Sequence, residues 1–137
     1  SGSGLEHVPS GNVRRMLEDA YQQYKKRTIN YVWGAVNFPN FDCSSWVQYM
    51  YKKHLGIQLH RVTYDQVKQG RFVPKDQLQP GDLIFFYKPS DGVYHVGMYF
   101  GNGKMIHNCC SARDLQIDSI TTGYYNIRYH SARRLIQ

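Results

Sequence analysis

Phe41-Asp42-Cys43-Ser44-Ser45-Trp46-Val47-Gln48-Tyr49-Met50-Tyr51 opens a segment that runs on to Leu55-Gly56. Trp46, Val47, Met50, Tyr51 and Leu55 recur at helical spacing, so the segment reads as a helix with one buried face. Asp42 is a favourable N-cap and Gly56 a natural stop. Cys43 therefore falls in the first turn. There, unpaired backbone N–H groups and the positive end of the helix dipole favour a thiolate. The same N–H groups can hold a developing oxyanion. A single cysteine in a helix is also what a small buried hydrophobe looks like, so the reading turns on the partners that the rest of the chain offers.

Upstream, Pro9-Ser10-Gly11-Asn12 can start a helix, and Val13, Met16, Leu17, Ala20, Tyr21 and Tyr24 form one apolar stripe along it. Tyr31 to Phe41 carries Gly34 and Pro39 and reads as a loop. Thr63 is placed to cap a short helix over 64–69. After the Pro80-Gly81 turn the period changes to two. Strands are expected over 82–87, 94–100 and 104–108, with Gly101-Asn102-Gly103 as a hairpin turn, and further ones over 116–120 and 127–136. Helices first and antiparallel strands after them define an α+β fold, the helices packed on the sheet and Cys43 at a helix N-terminus.

The hairpin supplies the partners. In Tyr94-His95-Val96-Gly97-Met98-Tyr99, strand alternation sends Val96 and Met98 to one face and His95, Gly97 and Tyr99 to the other. A regular turn centred on Asn102 sets His107 opposite Gly97, diagonally beside His95. A cysteine on a helix, a histidine on a strand and a polar group that orients the histidine is the general form of a thiol hydrolase.

Tyr31-Val32-Trp33-Gly34, Phe41-Asp42-Cys43-Ser44-Ser45, Leu78-Gln79-Pro80-Gly81-Asp82-Leu83-Ile84-Phe85-Phe86, His95-Val96-Gly97-Met98-Tyr99-Phe100-Gly101-Asn102-Gly103 and Met105-Ile106-His107 follow one another in this order. With these segments the chain resembles the NlpC/P60 family of cell-wall cysteine peptidases, which are papain-like in fold. The resemblance implies Cys43 as nucleophile, His95 as base, His107 as the orienting residue and Tyr31 near the oxyanion. It implies a substrate pocket shaped by Trp33, Asp42, Ser44, Arg61, Thr63 and Gln66. The implied reaction is hydrolysis of the peptidoglycan stem peptide at the bond between γ-D-glutamate and Lys or diaminopimelate. An amidase or acyltransferase on the same scaffold, or a wall-binding module with a degenerate site, are the alternatives. Ser45 stands where the family has glycine, which predicts crowding. Ala35, His60 and Cys109-Cys110 also depart from the family pattern.

The whole chain has 137 residues, a size that suits one domain. Ser1-Gly2-Ser3-Gly4 reads as a linker or cloning remnant, leaving 5–137 as a single catalytic domain. The net charge of +7 suits an anionic cell-wall polymer. The densest basic clusters, Lys25-Lys26-Arg27, Lys52-Lys53 and Arg133-Arg134, lack the interleaved aromatics of a nucleic-acid site, so no nucleic-acid partner is expected. No stretch is long and apolar enough to span a membrane. With the resemblance, this predicts a secreted or cell-envelope monomer. Cys109 and Cys110 are expected as free thiols. His95, His107, Cys109 and Cys110 are possible zinc ligands, but their spacing has neither C-x-x-C nor H-E-x-x-H, so neither metal nor cofactor is predicted.

Overall fold

The computed structural model describes residues 2–136. Helix α1 spans Asn12–Lys26 and turns Met16, Leu17, Ala20 and Gln23 inward. Three two-residue strands follow: β1 (Asn30–Tyr31), β2 (Val36–Asn37) and β3 (Asn40–Phe41). They pair in the order β1-β3-β2, so the segment expected as a loop carries a small sheet. Helix α2 is Cys43–Leu55, with Asp42 as N-cap and Gly56 left-handed at its end. A short helix α3 (Thr63–Gln66) and strand β4 (Arg71–Phe72) complete the first half.

Strands β5 (Leu83–Lys88), β6 (Gly92–Gly101), β7 (Lys104–Asn108), β8 (Leu115–Ser119) and β9 (Tyr129–Arg134) join β4 in a six-stranded antiparallel sheet. The order is β4-β9-β5-β6-β7-β8. Helix α4 (Gly123–Arg128) precedes β9. The strand expected over 127–136 therefore begins two residues late. Tyr124, Tyr125 and Ile127 have β-type side chains, yet Ile127 points to solvent, 78% exposed, and feeds no core.

Alternation on the sheet separates two apolar layers. Leu83, Phe85, Val96, Met98, Phe100 and Ile106 meet Leu17, Ala20, Trp46, Val47 and Met50 from the helices. Ile84, Phe86 and Met105 form the other layer with Ile120, against Tyr94, Tyr99, Tyr125 and Tyr129. Polar bonds brace the first layer from within: Trp46 Nε1 donates to Gln23 Oε1 at 3.0 Å. Asp82 holds the Pro80-Gly81 turn by accepting from the Gln79 N–H at 2.8 Å, and Arg134 grips both its oxygens at 2.7 and 2.8 Å. Gly2 and Ser3, expected to lie outside the fold, lie against it. Ser3 is buried, and the Gly2 carbonyl accepts from the Tyr21 hydroxyl. Among the described residues no helix is long and apolar enough to cross a membrane.

Two of the basic clusters have a local explanation. Lys25 and Lys26 sit in the last turn of α1, and Lys52 and Lys53 in that of α2. There they oppose the negative ends of the two helix dipoles.

Gly97 is the tightest point in the hairpin. A Cβ there would lie 2.7 Å from Met105 Sδ and 3.0 Å from His107 Cβ. Gly97→Ala should lower unfolding stability by about 1–3 kcal/mol through overpacking, measured by urea denaturation. A change below about 0.5 kcal/mol would show that this contact is not tight.

Candidate active site

The turn into α2 is built around Asp42. Its side chain accepts from the Ser45 N–H at 2.9 Å, and the Ser45 hydroxyl accepts from the Asp42 N–H at 2.9 Å, a reciprocal capping box. Ser45 also donates to the Ala35 carbonyl at 2.7 Å. The crowding expected at Ser45 is thus replaced by two useful hydrogen bonds. Asp42 further accepts from the Gly34 N–H and from both terminal nitrogens of Arg61. Burial alone would raise its pKa, but the bonds from Arg61 and Ser45 outweigh it and hold the carboxyl below its usual range.

Cys43 is buried, and the N–H groups of Val96, Ser44 and Cys43 itself point at its sulfur. The Val96 contact brings the sulfur to β6 one residue from His95. Both residues line one groove of about 760 Å³, with Tyr31, Trp33, Asp42, Ser44, Arg61 and Thr63 along its walls. The amide of Asn108 clamps the junction from the other side. It donates to the carbonyls of Phe41 at 2.8 Å and Asp42 at 3.3 Å, tying the start of α2 to the strand that carries His107.

A chain of hydrogen bonds runs away from the groove. His95 Nε2 lies 2.7 Å from His107 Nδ1, and His107 Nε2 lies 2.8 Å from Asp118 Oδ2. Arg113 supports the other oxygen of Asp118 at 3.3 Å. Asp118 was not singled out from the sequence. It ends the relay because β7 and β8 pair His107 with Gln116 and Met105 with Asp118, which sets Asp118 diagonal to His107. The bond from His107 holds the Asp118 carboxyl below its usual range against the opposing effect of burial.

Burial lowers the pKa of His107, and that of His95 falls well below 6.5, so both rings are neutral near pH 7. Their tautomers then follow by elimination. An ionised carboxylate only accepts, so His107 carries its proton on Nε2 and its Nδ1 accepts. His95 must donate from Nε2, which leaves Nδ1 as a lone pair. The tautomer of His95 is thus set by Asp118, two bonds away.

The expected low thiol pKa is reversed. Burial, and then the charge of Asp42, push Cys43 up to about 12 despite the three N–H contacts. Neither Cys43 nor His95 ionises alone at neutral pH. A proton passed from sulfur to ring would charge both at once, each ion offsetting the burial of the other. The Tyr31 hydroxyl is likewise held protonated, pushed up to about 12 by burial and by Cys43. Its backbone N–H is anchored by Asp114 at 2.9 Å, another acid the sequence did not flag.

The substrate-pocket candidates divide. Trp33 stands at the rim, 85% exposed. Ser44 and Arg61 bind each other at 2.9 Å and share Asp42. Thr63 lines the groove while its hydroxyl donates to the Val93 carbonyl at 2.7 Å. Gln66 does not reach the groove. It is fully buried, and its amide donates to the carbonyls of Ser44 and His60, bracing the wall from behind. Among the described residues, no group of three or more His, Cys, Asp and Glu side chains is arranged to hold a metal ion.

A family model described as NlpC/P60 family matches residues 27–134. The murein DD-endopeptidase MepS/murein LD-carboxypeptidase of Escherichia coli K12 is 34% identical over 129 residues, 94% of this chain and 66% of that protein. The γ-D-glutamyl-L-lysine dipeptidyl-peptidase of Bacillus cereus is 39% identical over 110 residues, 79% of this chain and 33% of its own. This chain therefore spans just under two thirds of the first relative and a third of the second. A crystal structure of an NlpC/P60 family protein from Bacillus cereus superposes with a TM-score of 0.75 at 36% identity, covering 86% of this chain and 39% of that one. The match over 27–134, together with this superposition of the α+β fold, makes the chain a member of the NlpC/P60 family.

Proposed function

We propose that this chain is a cysteine endopeptidase of peptidoglycan, cutting the stem peptide between γ-D-glutamate and Lys or diaminopimelate. The observation that carries the reading is the Cys43 sulfur beside β6, in one groove with His95, whose tautomer is set by His107 and Asp118. Family relatives named as murein endopeptidase and γ-D-glutamyl-L-lysine dipeptidyl-peptidase support the substrate class. Such a substrate lies outside the cytoplasm, and the net charge of +7 suits an anionic wall polymer.

The scissile carbonyl enters the groove against Cys43. His95 Nδ1 takes the thiol proton as sulfur bonds to the carbonyl carbon. The Cys43 N–H and the Tyr31 hydroxyl hold the oxyanion. His95 then returns the proton to the leaving amine, and the acyl group remains as a thioester. Water, deprotonated by the same nitrogen, releases the acid and restores the thiol. The Asp118–His107 pair leaves Nδ1 unprotonated in the neutral ring, ready to take each proton, and offsets the charge while the ring holds it.

Cys43→Ala should lose more than about a thousandfold of the activity, read by mass spectrometry of digested sacculi. The fragments from the parent enzyme should end in γ-D-glutamate. Retained activity, or fragments cut only at D-alanyl cross-links as the name of the MepS relative suggests, would overturn the assignment.

His95 must be neutral to accept the thiol proton, and its folded pKa lies below 6.5. Activity should therefore hold as pH falls through 6.5 and drop only as His95 is protonated below that. An acid limb of kcat/KM centred at or above 6.5 would contradict this.

Asp118→Asn can donate to His107 and reverse the relay, so that His95 presents Nδ1–H to the sulfur. We expect kcat to fall about a hundredfold or more. Nitrogen-15 NMR should show both histidines protonated at Nε2 in the parent and the His95 tautomer switched in the variant. Full activity with unchanged tautomers would remove Asp118 from the mechanism.

A further inference from the structure

The groove does not end at His95. A second hollow of about 620 Å³ opens beside it, and the two share Tyr94, His95 and Cys109. Cys43 lines only the first hollow, whereas His95 lines both. The leaving amine takes its proton from His95, so the part of the substrate attached to that amine lies on the His95 side. The second hollow is therefore the leaving-group half of the groove.

The two halves differ in charge. The first carries Asp42 and Asp91 against one cation, Arg61, which is already paired with Asp42. The second carries Lys88 and Arg113 against Asp118, whose oxygens are engaged by His107 and Arg113. Arg128 adds a further cation at the margin, 3.8 Å above the Tyr124 ring. Lys88 Nζ rests 4.5 Å over the Tyr94 ring and within hydrogen-bonding reach of the Tyr124 side chain, with no carboxylate paired to it among the described residues. A half-buried lysine that borders a groove and meets tyrosine side chains rather than a carboxylate is poised for an anionic ligand.

We propose that this second hollow is a carboxylate subsite for the leaving portion of the peptide, with Lys88 as the contact group and Arg113 as the supporting cation. The proposal rests on the stem-peptide reading above and deepens it. The carboxylate has two possible sources, the α-carboxyl of the diamino acid or the distal carboxyl that diaminopimelate has and lysine lacks.

Three peptides separate these sources, each beginning L-Ala-γ-D-Glu. The first ends in L-Lys amide, the second in L-Lys free acid, and the third in diaminopimelate amidated at its α-carboxyl. At least one of the two acids should be cut about fivefold or more faster than the lysine amide, the gain of a partly exposed ion pair, and the faster one identifies the carboxylate. Lys88→Ala should bring that ratio near one, and Lys88→Glu should invert it. Equal cleavage of all three by the parent enzyme, or an unchanged ratio in Lys88→Ala, would overturn the subsite while leaving the reaction in place. Failure of the parent to cut any of them would overturn both the subsite and the bond assignment beneath it.

Discussion

The site depends on one carboxylate. Asp42 caps α2 through the Ser45 N–H, draws the Gly34 loop inward and holds Arg61 with both oxygens. Without it the first turn of α2 would lose its partner, and the groove wall would lose the bonds between loop, helix and Arg61. The arrangement has a cost, because a negative charge next to Cys43 disfavours a second one on its sulfur. Arg61 offsets that charge on the far side. The N–H contacts to the sulfur offset it at close range. The Cys43 thiol is thus held by a group that also resists its ionisation.

Much of this was legible in the sequence because it rests on short-range rules. Asp42 bounds α2 through its capping carboxylate and Gly56 through its freedom to turn left-handed, and Cys43 follows in the first turn. Strict alternation places Val96 and Met98 in the helical layer and His95 on the other face. Gly97 and His107 face each other because the turn residues Gly101-Asn102-Gly103 leave the upper hairpin in regular register, with the irregularity confined between Tyr99 and Gly101.

What was not legible depends on register across irregular segments. Asp118 lies on an expected strand, but nothing local marks it apart from any exposed acid. Its meeting with His107 follows from the 109–114 loop, whose turn is shaped by a left-handed Asp114 and which no short pattern predicts. Asn108 and Asp114 reach residues 66 and 83 positions away. Strands of two residues are too short to show a period, so β1 to β4 went unseen. Gln66 belonged to a plausible pocket motif, yet its buried amide serves two backbone carbonyls. The thiol was misjudged for a different reason: the helix dipole can be read from position, whereas burial emerges only when β6 closes over the sulfur.

That closure bears on durability. Sulfur attacks peroxides and disulfides mainly as its anion, and a low-pKa cysteine is correspondingly quick to be spent. A sulfur held as S–H by burial and by the charge of Asp42, as that of Cys43 is, presents little of that anion. Oxidation of such a thiol is correspondingly slow, because the closure of β6 that buries it also keeps its proton from leaving.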